Sequence, residues 1–128
     1  MATFLGTELW NTDADLVTVP ALRGALSASV SDRHYGDFAN RYRTRFGTSP
    51  FRLSTLGYDA ALMTVALARD WRPGGAFPWN DLTNPEGYVG IDGFMRFRPD
   101  GEVLRTFEVQ RIDEGVFTVV DAAPNNLP

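Results

Sequence analysis

Tyr35, Phe38, Ala39, Tyr42 and Phe46 recur at three- and four-residue steps, with Arg41, Arg43 and Arg45 between them. That spacing puts the aromatic rings on one stripe of a helix and the guanidinium groups on its polar face. Ser31 or Asp32 is expected to accept from the first free amides, Gly47 suits a left-handed stop, and Pro50 prevents continuation. A second helix is predicted from about Ser54 to Trp71. Apolar residues occupy nearly every face between Ala60 and Ala68, so this helix is expected to be largely buried. Gly57 lowers helix propensity by roughly 1 kcal/mol relative to Ala, and its presence points to a close approach of backbones.

Strand patterns flank these helices. Thr3-Phe-Leu-Gly-Thr reads as a short buried strand stopped by Gly6, whose carboxyl end opens into the polar segment Glu8 to Asp15. Ligands favour such strand ends in open α/β sheets. Asp13 to Leu22 forms a weak helical turn limited by Pro20, and Ala25 to Val30 reads as another strand. Arg72-Pro-Gly-Gly breaks the second helix. From there to Gly93 the chain is rich in Gly, Pro and Asn and predicts a long loop with one short turn near Trp79 to Leu82. Phe94 to Arg98 alternates as a strand, Pro99-Asp100-Gly101 turns the chain, and Val103 to Ile112 returns. Asp113-Glu114-Gly115 makes a second turn into Val116 to Val120, and the tail Ala122 to Pro128 is expected to fray.

Composition narrows the chemistry. With 128 residues, 44% hydrophobic and 12% aromatic, the chain has the material for one packed domain, and disorder is not predicted. Twelve basic against sixteen acidic side chains leave a formal charge of −4, which argues against nucleic acid or an anionic membrane as partner. The sequence has no cysteine and one histidine, His34, which removes disulfides, thiolate chemistry and zinc–thiolate sites. The longest apolar stretch, Ala60 to Ala68, is far short of the roughly 20 residues that span a bilayer. A soluble chain is expected, with any export signal outside it.

Read in order, Phe4-Leu-Gly-Thr-Glu-Leu-Trp, Tyr35-Gly-Asp-Phe-Ala-Asn-Arg-Tyr-Arg-Thr-Arg-Phe-Gly, Gly57-Tyr-Asp-Ala-Ala-Leu and Gly90-Ile-Asp-Gly-Phe-Met-Arg-Phe-Arg-Pro-Asp-Gly carry a resemblance. The sequence resembles the type 1 periplasmic ligand-binding proteins of the leucine/isoleucine/valine-binding class, from about Thr3 to Asp121 and over the last third of such a protein. The resemblance implies the carboxyl-terminal part of a two-lobed α/β fold, with two main helices, strands and a final hairpin. It implies residues 1–30 in the second lobe, 31–104 in the first, 105–121 back in the second, and a tail over 122–128. It implies a periplasmic, non-enzymatic receptor without cofactors that closes over an amino acid or similar small polar ligand and delivers it to an ABC permease. Parts of two sheets without their other strands would expose edges and apolar surface, so association between copies by strand exchange is also expected.

The resemblance singles out Glu8, placed where amino-acid-binding members hold the ligand's ammonium group; an ordinary solvated loop glutamate is the alternative. Trp10 could stack over a ligand, with packing in the core as its competing role. Tyr58 is expected to pack, and Asp59 to serve its own helix as a cap or in a salt bridge. Asp92, Asp100 and Glu102 lack the spacing of a calcium loop, and no metal is assigned. A second function stays open: Gly-Thr-x-Leu-Trp followed by Arg-Tyr-x-x-x-Phe-Gly is also compatible with lipoprotein-type activators of penicillin-binding proteins, which act by protein contact. No phosphate loop, nucleophile elbow or metal motif points to an enzyme.

Overall fold

A computed structural model describes residues 3–127. In chain order its elements are β1 (Leu5–Gly6), β2 (Leu26–Ser29), α1 (Tyr35–Phe46), α2 (Ser54–Ala68), α3 (Trp79–Leu82), β3 (Tyr88–Gly90), β4 (Gly93–Phe97), β5 (Val103–Arg105), β6 (Glu108–Ile112) and β7 (Phe117–Asp121). Three short 3₁₀ turns, Glu8–Thr12, Ala14–Thr18 and Pro20–Leu22, follow β1. They replace the single weak helical turn expected there. Asp13 accepts from the Asp15 amide and so caps the second of them.

The strands form two sheets. One has the order β1-β2-β6-β7, parallel between β1 and β2 and antiparallel elsewhere; the other is the antiparallel set β3-β4-β5. The run Val103 to Ile112, expected to be one strand, is therefore two strands in different sheets. Thr106 makes the break: its amide donates to the Phe94 carbonyl, and two residues later Glu108 pairs with Ser29 in the other sheet. Alternation of side chains continues through the break, so sequence periodicity carries no sign of it. β3 lies inside the region expected to be loop, because only Tyr88 and Val89 stand between Gly87 and Gly90, too short a run to show alternation.

α1 forms as its periodicity requires. Phe38 is buried and meets Tyr58 of α2 edge-on at 5.2 Å between ring centroids, which fulfils the packing role expected of Tyr58. Gly47 closes the helix at φ 74° and donates its amide to the Arg43 carbonyl, as a left-handed cap does. The amino end differs from expectation. No side chain caps it; Ser31 accepts from the Arg33 amide, and the Asp32 carboxylate is engaged elsewhere.

The buried apolar residues among those described are Ala25, Val30, Phe38, Ala39, Pro50 and Ile112. Two expectations fail with so small a core. β1 is an edge strand with one neighbour, and Leu5 is 77% exposed instead of buried. α2 buries only Thr55 and Asp59 fully, while Leu56, Leu62 and Val65 face solvent. The apolar pattern of α2 is that of a helix covered on several sides, and within the chain only one side meets a sheet. Nor does any atom come within 4 Å of a Cβ built on Gly57, so the close approach expected there is absent within the described residues. The tail carries no regular structure over its described residues, and Pro128 lies outside them.

Candidate functional site

The turn Glu8–Thr12 begins where β1 ends. Trp10 donates its amide back to Thr7, which folds the indole over the strand. A Cβ on Gly6 would stand 2.2 Å from an indole carbon, so the ring rests directly on the glycine backbone. Trp10 is half-buried there and packs on the sheet. Glu8, one residue into the turn, is exposed. It lines a narrow cleft with Asn11, Thr12 and Val30 on its own side and Arg52, Leu53, Leu56 and Arg105 opposite. Among the described residues the Glu8 carboxylate has no hydrogen bond or ion pair, and Trp10 is not among the lining residues. The enclosed space is about 20 Å³, enough for roughly one water molecule and not for an amino acid.

The floor of the cleft is a polar network that sequence reasoning did not find. Arg52, whose side chain is 7% exposed, donates Nε to Asp32 Oδ1 at 3.0 Å and Nη1 to Asp92 Oδ1 at 2.8 Å. Nη1 also reaches Thr55 Oγ1, Nη2 reaches the Ser31 carbonyl, and the guanidinium carbon lies 4.5 Å from the centre of the Tyr35 ring. Asp92 is held on its other oxygen by Thr55 at 2.8 Å and Arg105 at 3.2 Å. Burial is the largest single influence on Arg52 and lowers its pKa, but the hydrogen bond and charge of Asp92, followed by Asp32, outweigh it and leave the pKa above its ordinary value. A guanidinium so held cannot pass a proton; it fixes geometry.

Asp59 extends the network from within α2. Among the described residues it neither caps its helix nor pairs with a cation. Its carboxylate accepts from the amides of Ile91 at 2.8 Å and Asp92 at 3.3 Å, and so clamps the β3–β4 turn. Gly90 permits this approach: a Cβ there would be 2.2 Å from Asp59 Oδ2. On the other side Asn11 donates to both Ser29 Oγ and Asp32 Oδ1. Asp32 thus joins the turn that carries Glu8 to Arg52, and through Asp92 to both strands of the second sheet's hairpin. The only sequence signals of this arrangement are an arginine one turn before an apolar helix and an acidic residue between two glycines, both too common to identify it.

His34 lines a separate groove of about 430 Å³ with Ser31, Phe94, Thr106 and Glu108. Asp100 and Glu102 pair with Arg98 at the hairpin turn. Among the described residues no group of three or more His, Asp or Glu side chains is placed to hold a metal ion, and no helix is long and apolar enough to cross a membrane.

No family model matches the sequence, and no curated protein matches it. Solved structures do match. One from Rhodospirillum rubrum, described as a branched-chain amino acid ABC transporter, has a TM-score of 0.71 at 24% identity over 92% of this chain and 37% of its own. A leucine-binding protein from Thermotoga maritima gives 0.62 at 18% identity over 98% of this chain and 38% of its own. An ABC transporter substrate-binding protein from Desulfitobacterium hafniense, solved with Leu, gives 0.65 at 19% identity over 94% and 36%. The chain spans little more than a third of the length of these proteins. Its mixed α/β fold is that of part of a type 1 periplasmic binding protein, and the carboxyl-terminal part is the one the sequence resembles.

Proposed function

We propose that this chain is part of a non-enzymatic, periplasmic solute receptor of the ABC-importer type that takes an amino acid or similar small polar ligand between two lobes. The observation that carries the reading is the unpaired Glu8 carboxylate at the end of β1, facing a cleft between the two sheets, in a fold shared with substrate-binding proteins. In this reading residues up to 30 and 105–121 build one lobe, and 31–104 the other; the separation into two sheets supports it. Glu8 accepts the ligand's ammonium group, a charge-assisted hydrogen bond roughly twice as strong as a neutral one once water is excluded. Trp10 sets the path of the turn by packing on Gly6 and so aims Glu8. The Asn11–Asp32–Arg52 link holds that turn against the opposite lobe.

A cleft of about 20 Å³ cannot enclose the ligand, so the remaining walls come from outside the chain, which by itself is expected to bind amino acids weakly or not at all. The test uses a receptor that contains this chain together with the rest of both lobes. Saturation with leucine or another bound amino acid at 100 times its dissociation constant should stabilise it by about 2.7 kcal/mol, read as a rise in melting temperature. Glu8→Gln should weaken affinity by about tenfold or more. Unchanged affinity rejects the role of Glu8. A receptor that ignores an amino-acid library but retains a cell-wall synthase in pull-down would replace this function with that of a synthase activator.

A further inference from the structure

The groove of about 430 Å³ that His34 lines shares no residue with the Glu8 cleft, and its volume is in the range of small-molecule sites. Its polar groups are mismatched in opposite senses. Glu108 of β6 is 5% exposed and accepts one hydrogen bond, from the Gln110 side-chain amide at 2.8 Å. No cation pairs with it among the described residues. Gln110 Oε1, buried two positions along the same face of β6, has no hydrogen-bond partner. A buried carboxylate is ordinarily paired with a cation or held by several donors, because one neutral hydrogen bond does not offset its lost hydration. This part of the groove is therefore rich in acceptors and short of donors. Arg33 and His34, in the segment leading from β2 into α1, present the reverse. Both line the groove and are exposed, and neither side chain has an acceptor among the described residues. The amino end of α1 beside them has no side-chain cap, which also favours an anion there.

We propose that this groove is a binding site for a small dipolar molecule of the dipeptide type, its ammonium end at Glu108 and its carboxylate at Arg33 and His34. An ammonium group carries three donors and no acceptor, and it supplies the charge that Glu108 lacks. Gln110 engages Oε1 of Glu108 and so holds the side chain in place, which leaves Oε2 for the ligand. At the other end the planar guanidinium of Arg33 matches a carboxylate with two parallel donors. The two charged ends belong to different elements, and Val89, Phe94 and Thr106 complete the wall. The ligand therefore needs separated charges and a body that tolerates apolar contact, as a dipeptide has. The Glu8 reading does not depend on this site, nor this site on that reading.

Isotope-labelled chain titrated with alanylalanine should show saturable shifts of the His34, Thr106 and Glu108 amide signals. N-acetylation of the dipeptide should weaken binding at least about tenfold, and so should amidation of its carboxylate, because each removes one charge-assisted contact. Glu108→Gln should abolish the preference for the free over the N-acetylated dipeptide, and Arg33→Gln the preference for the free over the amidated one. Asp100→Asn, whose carboxylate pairs with Arg98 outside the groove, should change neither preference. Should Glu108→Gln fail to fold, the ligand comparisons on the unchanged chain decide by themselves. The proposal is overturned by the absence of saturable shifts, by equal affinity for the acetylated dipeptide, or by shifts confined to the Glu8 turn. It is overturned as well if, in a receptor that contains the rest of both lobes, that added chain fills the groove and the dipeptide no longer shifts His34.

Discussion

The arrangement around Arg52 shows how much one side chain can decide. Three oxygen-bearing side chains and a carbonyl surround its guanidinium, and none of the four is adjacent to it in sequence. Arg52→Ala leaves Asp92, itself almost fully buried, with Arg105 as its one cation among the described residues. The loss should cost about 3 kcal/mol in urea unfolding, and Arg52→Lys should recover little of it, because a point charge cannot reach Asp32, Asp92 and the Ser31 carbonyl together. A much smaller cost would show that the network is loosely held. Gly6 poses the same kind of problem in reverse. Gly6→Ala must displace the indole of Trp10, with an expected loss of about 2 kcal/mol and a change in tryptophan fluorescence. Each role follows from proximity in space, which is why Trp10 could be read from sequence either as a packing residue or as a ligand platform, and Arg52 could not be read at all.

At the scale of elements, helices were more legible than strands. The period of Tyr35 to Phe46 carries its own evidence over three turns, and α1 begins and ends within that pattern. A three-residue strand such as β3 has no comparable repeat. The break between β5 and β6 is hidden for a related reason: both strands alternate, and only the identity of their partners changes. The β6–β7 hairpin carries a pH dependence. Asp113 is held below the ordinary carboxylate range, chiefly by its bidentate hydrogen bonds from Arg111 and then by Thr118. Because its folded pKa lies below the unfolded one, its contribution is complete above the unfolded value of about 3.9 and is lost as pH falls through the folded value. The gap in urea midpoint between the parent chain and Asp113→Asn should therefore stay constant near neutrality and close below about pH 4. A gap that widens in acid would contradict the assignment.

For the whole molecule the mismatch between apolar content and buried core is the dominant fact. Composition predicts a well-filled interior, yet only six apolar residues, Pro50 among them, are buried among those described. Leu5 and Val65 are exposed, although their patterns read as interior. A receptor assembled from both lobes would supply the missing cover, and amino-acid affinity of such a receptor tests that reading.

Sequence by itself determined the two long helices, the hairpin turn at Pro99 to Gly101, the absence of thiol chemistry and the family resemblance, because each is written in local spacing or composition. Tertiary structure decided that Asp32 serves Arg52 instead of a helix end, that Asp59 clamps a distant turn, that Val103 to Ile112 serves two sheets, and that α2 stands uncovered. Local pattern specifies which surface of an element is apolar or charged; which neighbour meets that surface depends on residues 20 to 40 positions away, through contacts such as Arg52 with Asp32 and Asp92.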